Sequence, residues 1–152
     1  MPVGQSRDFH QKHEFVVEID GVAYAGFMSC SEISGEANIS EYREGGSMLV
    51  TKKPGIVAYT DVTLERGATL DRDLFDWFKQ TIDAGAGRGE TSNRYKRNLD
   101  VVARDRDGSD KERWTLYGAF VKKFSAGEWD ATDDGAVINS VVLAYDYFDK
   151  TL

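Results

Sequence analysis

The sequence predicts a mainly β fold: an antiparallel β-barrel or two-sheet sandwich with one flanking α-helix. Three observations predict it. Apolar and polar residues alternate with period two in about seven stretches, the signature of half-buried strands. Gly, Asp, Ser and Pro separate those stretches at short intervals, as turns between antiparallel strands require. Only around Leu74–Ile82 does the apolar spacing change to three and four, which is helical. The chain has 152 residues, enough for one domain with a core of its own.

Residues 1–12 are polar and contain an early Pro and Gly, so they read as an N-terminal arm. A first strand follows, in which Phe15, Val17 and Ile19 alternate with Glu14, Val16 and Glu18. Asp20-Gly21 is a two-residue hairpin turn into the segment VAYAGFMSCSEI, where Tyr24, Phe27 and Met28 are apolar and Gly26 suggests a bulge. Ser34-Gly35 turns the chain into a strand at about 37–44.

The next stretch carries the most unusual pattern. Gly45-Gly46 and Lys52-Lys53-Pro54-Gly55 are turn signals, and Pro54 has no N–H to give a ladder, so residues 44–55 are expected to leave the sheet as a loop. Between the signals stand three consecutive apolar residues, Met48, Leu49 and Val50. A hairpin that only had to turn would need two to five residues and no hydrophobes. Either this tip folds back onto its own core or it reaches another subunit, and the pattern alone leaves both open. A strand over about 56–66 comes next, with Asp61, Thr63 and Glu65 on a polar face opposite Val62 and Leu64.

In the helix, Leu70, Leu74, Trp77, Phe78 and Ile82 form an apolar stripe, with Thr69 or Asp71 as cap and Asp71 and Asp73 at the positive end of the dipole. Gly85-Ala86-Gly87 ends it, and a basic loop runs over 88–97. Three further strands are expected at about 98–105, 113–122 and 137–148, with a turn at Asp107-Gly108 and a Gly- and Asp-rich loop over 125–135 that carries Trp129. In the second of these strands Trp114, Leu116 and Phe120 are expected to face away from Arg113, Thr115 and Tyr117.

Little in this sequence points to chemistry. His10 and His13 lie three apart in the polar arm, and a metal site would need further ligands on a rigid frame. Cys30 is the sole thiol, so a disulfide within the chain is excluded, and no histidine nearby in sequence would activate it. It reads as a small, partly buried strand residue. The acid pairs Asp71/Asp73, Asp133/Asp134 and Asp146/Asp149 sit where solvation and the helix dipole favour them. Phosphate-loop, dinucleotide, HExxH and GxSxG motifs are lacking, so neither an enzyme nor a cofactor is expected. Acidic residues outnumber basic ones 26 to 19, a net charge of −7, which argues against phosphate-driven nucleic-acid binding. No apolar run is long enough for stable membrane insertion, and the first residues carry no hydrophobic signal region. The chain is therefore expected to be made in the cytoplasm and to leave it, if at all, within an assembled particle.

The ordered string EYREGG…KKPG…Y…VTLERG, followed by LFDWFKQTID, resembles the tail tube protein family of contractile phage tails and of phage-derived extracellular contractile injection systems. The likeness extends to FVVEIDGVAYAGFMSCSEISG before it and RWTLYGAFVKKF…VINSVVLAYDYF after it, about residues 9–148. The resemblance implies hexameric rings stacked into a hollow tube that conducts DNA or a protein effector. It further implies partners in a contractile sheath around the tube and in baseplate and terminator proteins at its ends. It makes Gly45, Gly46, Met48, Leu49, Val50, Lys52, Lys53 and Pro54 an inter-ring loop, Asp61, Thr63 and Glu65 lumen-facing, and Leu74, Trp77, Phe78 and Ile82 an outer helix. Two rivals stand beside it: the related tube protein of type VI secretion, and a monomeric ligand-binding β-barrel.

Overall fold

The computed structural model describes residues 14–20, 26–46, 48–68, 72–87 and 95–152. The arm, both histidines, Tyr24, Leu70, the expected caps Thr69 and Asp71, and most of the basic loop lie outside the described residues. In chain order the elements are β1 (Phe15–Ile19), β2 (Ser29–Cys30), β3 (Gly35–Tyr42), β4 (Thr51–Tyr59), β5 (Val62–Gly67), α1 (Asp73–Gly85), β6 (Arg97–Arg104), β7 (Asp110–Ala126), β8 (Ile138–Ala144) and β9 (Tyr147–Lys150).

The long strand β7 organises the body. Its first half lies between β6 and β9, its second half pairs with β8, and every pairing is antiparallel. The strand order is β1-β6-β7-β8-β5-β2, with β3 and β4 forming a separate two-stranded sheet. Among the described residues β1 and β2 remain the two ends of that path, so the body is two sheets sharing a bent strand and not a closed barrel.

Gly118 makes the bend. It has φ +66°, and around it β7 places two residues, Tyr117 and Gly118, between Leu116 and Ala119 where β6 places one, Asn98, between Leu99 and Arg97. The extra residue flips the alternation, so Leu116, Ala119 and Val121 all reach the core. This corrects the sequence expectation that Phe120 shares the face of Leu116: Phe120 lies instead edge-on to Tyr95 at 5.7 Å. A second register shift, between Val121 and Lys123, turns Phe124 toward Phe75 and Phe78 on α1.

Two expected strands each divide in two. The stretch 56–66 breaks at Thr60-Asp61, giving β4 to the small sheet and β5 to the body. The stretch 137–148 breaks where the Asp146 amide donates to the Tyr117 carbonyl at 2.9 Å, so β8 and β9 pair with different parts of β7. The expected strand over 22–33 is reduced, among the described residues, to Ser29–Cys30.

Helix α1 packs on β7 through Leu74 and Trp77, both fully buried, with Phe78 partly covered against the core. Ile82, expected on the same stripe, is 45% exposed. It lies eight residues beyond Leu74, about 80° past two full turns, so it rotates off the contact line. Asp73 and Asp76 occupy the first turn, where the dipole favours acid. The core joins both sheets and the helix, with Val62 opposite Leu143 and Leu64 opposite Val141 in direct cross-strand pairs.

Candidate assembly surface

The β3–β4 hairpin differs from everything else in the fold. Every residue of both strands is exposed except Tyr59 at the root. Its tip and strands carry Met48 at 93%, Leu49 at 81% and Ile56 at 81% exposure, with Ile39 and Tyr42 also open to solvent. Ile39 and Tyr42 differ in parity along β3, so apolar side chains project from both faces of the ribbon.

The expected loop 44–55 is shorter than its turn signals suggest. Lys52, Lys53 and Pro54 lie within β4, opposite Glu41, Ser40 and Ile39. Pro54 does not end the ladder, because it sits beside a bulge. Between Ala37 and Ile39, β4 spends one residue more than β3, and proline is tolerated at such an irregularity on an edge strand. The connection is therefore residues 43–50, with Gly46 at φ +84° making the turn.

An aromatic cluster fastens the root of the hairpin to the body. Tyr59 packs on Phe148 at 5.5 Å and Tyr145 at 5.9 Å, while Trp114 meets Phe148 edge-on at 5.9 Å. Gly35 passes so close to this cluster that a Cβ would stand 2.9 Å from Tyr59. Ser34 and Thr60 hydroxyls share a 2.6 Å hydrogen bond, and the Thr60 amide donates to the Ser34 carbonyl at 3.0 Å. These contacts hold the root of the hairpin to the body.

On β5 the alternation is clear. Val62, Leu64 and Arg66 are buried, while Thr63 and Glu65 are half-buried on the other face and Asp61, just before the strand, is exposed. Asp61 pairs with Lys122 at 2.8 Å, Glu65 accepts from the Ser29 hydroxyl at 3.2 Å, and the Thr63 amide donates to the Ser31 hydroxyl at 2.8 Å.

Arg66 was missed as a core residue. It is 2% exposed, reaches Asp73 at the start of α1 at 3.2 Å and lies over the Phe27 ring. Its parity with Val62 and Leu64, and an acid seven residues on, are the signals that could have found it.

Chemical potential elsewhere is slight. Burial pushes the Cys30 thiol up to about 11, which suppresses the reactive thiolate. Arg113 binds Glu18, Asp100 and Asp110 on the wet side of the sheet, and these hydrogen bonds raise its pKa further above the usual range. Among the described residues no group of three or more His, Cys, Asp or Glu is placed to hold a metal ion. No helix among them is long and apolar enough to cross a membrane.

The chain's relatives give this fold a family. The T4-like virus tail tube protein gp19 family matches residues 11–149. The chain belongs to this tail tube family. No curated protein matches it significantly in sequence. Among solved structures, a chain of the PVC sheath/tube terminator, from an extracellular contractile injection system in its extended state, has a TM-score of 0.81 at 21% identity. The match covers 97% of this chain and all 100% of that one. A chain of the PVC sheath–tube complex gives 0.75 at 23% identity over 93% and 90%. Hcp1 from Flavobacterium johnsoniae is a weaker likeness, 0.58 at 12% identity over 90% and 94%. These likenesses speak for a shared fold.

Proposed function

We propose that the chain is the structural subunit of the inner tube of a contractile tail-like particle, closing into hexameric rings that stack into a hollow conduit. Family membership supports the tube, and one observation carries the assembly: a hairpin with apolar side chains exposed on both faces and at its tip. Burying each such side chain contributes roughly 1.5–3 kcal/mol, so a lone chain leaves a large favourable contact unmade. Two open strand edges on the hairpin and the ends of the sheet path at β1 and β2 give neighbours backbone to pair with, and closed rings remove that hazard.

In this arrangement the tip, Gly45 to Val50 with Lys52, Lys53 and Pro54 on its flank, bridges to the next ring. Asp61, Thr63 and Glu65 line the lumen, where a polar face tolerates water and passing DNA or protein cargo. The α1 side, with Phe75 and Ile82 partly exposed, turns outward to the sheath, and baseplate and terminator proteins cap the ends. The role is mechanical and non-catalytic: a rigid conduit and piercing shaft. The type VI alternative shares the architecture, and the weaker likeness to Hcp1 favours the tail-like branch. Negative-stain microscopy of the concentrated protein, with and without tail-initiating partners, is expected to show rings and tubes. A protein that stays monomeric in both conditions overturns the reading.

A further inference from the structure

We infer that Asp134 is a self-modification site, where the main chain isomerises through a succinimide to isoaspartate. The inference goes beyond the tube reading and does not rest on it. An Asp-Gly step is where this chemistry is least hindered, because glycine has no Cβ to shield its amide nitrogen. Two such steps lie wholly among the described residues, Asp107-Gly108 and Asp134-Gly135. As dipeptides they are identical, and only their surroundings separate them. In the reaction the glycine nitrogen bonds to Cγ of the preceding Asp. The carboxyl hydroxyl leaves with the amide proton as water, and a five-membered ring closes. Water then opens the ring at either carbonyl, returning Asp or leaving isoaspartate, whose main chain runs through Cβ and Cγ. Atoms balance without an enzyme, an oxidant or a cofactor.

At Asp107 both reacting groups are tied. Its Oδ1 accepts from the Ser109 amide at 2.9 Å and the Ser109 hydroxyl at 2.6 Å. The Gly108 amide donates to the Asp105 carbonyl at 3.0 Å, and the Asp105 amide to the Ser109 carbonyl at 2.8 Å, which closes the turn between β6 and β7. The Ser109 hydrogen bonds also hold the Asp107 carboxyl below its usual range, leaving less of the neutral acid that cyclises. At Asp134 the carboxyl is free: it is exposed and makes no hydrogen bond or ion pair among the described residues. The Gly135 amide donates to Oδ1 of the exposed Asp133 at 2.8 Å, a bond that water can replace at small net cost. Cyclisation at Asp134 therefore needs one solvent-side hydrogen bond to open, whereas at Asp107 a whole turn must come apart. The product matters locally. Asp133 and Gly135 line a cleft of about 540 Å³ together with Trp129 and Glu65, and an added main-chain methylene between them reshapes it.

The test ages the purified chain at neutral pH and physiological temperature. Isoaspartate is read by methyl transfer from labelled S-adenosylmethionine with an isoaspartyl methyltransferase, and located by peptide mapping. The expected result is isoaspartate accumulating several-fold faster at residue 134 than at residue 107, with the preference lost in the urea-unfolded chain. Gly135→Ala is expected to keep the melting temperature, because its Cβ meets the exposed Asp133 carboxylate at 3.1 Å, and to lose the signal at residue 134. Ser109→Ala is expected to raise the signal at residue 107. Isoaspartate at residue 107 equal to or above that at residue 134 in the folded chain overturns the assignment. So does its absence from residue 134, or an unchanged signal there in Gly135→Ala. A preference for residue 134 that persists in urea overturns the protection assigned to the β6–β7 turn.

Discussion

The body and the hairpin are built from the same element, the antiparallel strand, yet they meet opposite fates. In the body each strand has a dry side: Val62, Leu64, Leu99, Leu116 and Val121 are wholly buried. In the hairpin neither face is dry, although Ile39, Ile56 and Val57 are as apolar as the core. Two strands with no sheet or helix against them are marginal in water. The hairpin's root is fastened to the body by the Tyr59, Tyr145 and Phe148 cluster. The body's hydrophobes stabilise the fold, while the proposed function assigns the hairpin's to contacts outside the chain.

Substitutions can break or sharpen this contrast. The largest effect on the isolated chain is expected from Trp77→Ala. It removes a fully buried ring whose Nε1 donates to the Tyr95 carbonyl at 2.6 Å, and should cost about 3–5 kcal/mol in urea unfolding. Next come two glycines, one from each region. Gly118→Ala forces a side chain into positive φ and against Asp146, and is expected to cost about 2 kcal/mol. At the hairpin turn, Gly45→Ala meets nothing within 4 Å and should shift stability by less than about 0.5 kcal/mol. Equal losses at the two glycines would erase the distinction drawn here.

Reactivity separates the regions as well. Burial raises the Cys30 thiol, so its thiolate form is disfavoured in the folded chain. The associated stability is present below the unfolded-state pKa and is lost as pH rises through about 11. Near pH 8, maleimide should label Cys30 roughly a hundredfold more slowly in the folded than in the urea-unfolded monomer, whereas Met48→Cys at the tip should label at the free-thiol rate. Similar rates at both sites would mean that Cys30 is as open to solvent as the tip.

Smaller still is the expected effect of Asp61→Lys, which breaks an exposed pair with Lys122. Thermal melting should move by no more than about 0.5 kcal/mol, while the tube's affinity for anionic cargo rises. The smallest effect on the monomer is assigned to the double change Met48→Asp with Leu49→Asp. It should leave melting and ring closure nearly unchanged and abolish tube elongation in micrographs. A lowered melting temperature would instead show that the tip packs on its own subunit.

Periodicity made much of this fold legible. The alternation of Phe15, Val17 and Ile19, of Val62 and Leu64, and the three-and-four spacing of Leu74, Trp77 and Phe78 each name a buried face before any coordinate is known. Two of the misreadings trace to backbone irregularities. The Gly118 bulge moved Phe120 off the expected face, and the bulge beside Pro54 let a ladder continue where proline ordinarily stops one. Arg66 escaped because its acid partner begins another element, which no period reports. For the candidate surface, the odd run Met48-Leu49-Val50 marked the place, but whether it turned inward or outward did not follow from it.

By itself, then, the sequence determined the element types, the dry face of most strands and the tail tube family, because these rest on local spacing and ordered motifs. The tertiary structure alone decided that β7 serves two sheets and that, among the described residues, the sheet path ends at β1 and β2 and the hairpin meets the body at its root. Those outcomes depend on contacts between residues far apart in the chain: a bend at Gly118, Asp146 docking on Tyr117, and an aromatic clamp of Tyr59, Tyr145 and Phe148 that fixes one end of the ribbon and leaves the other in water.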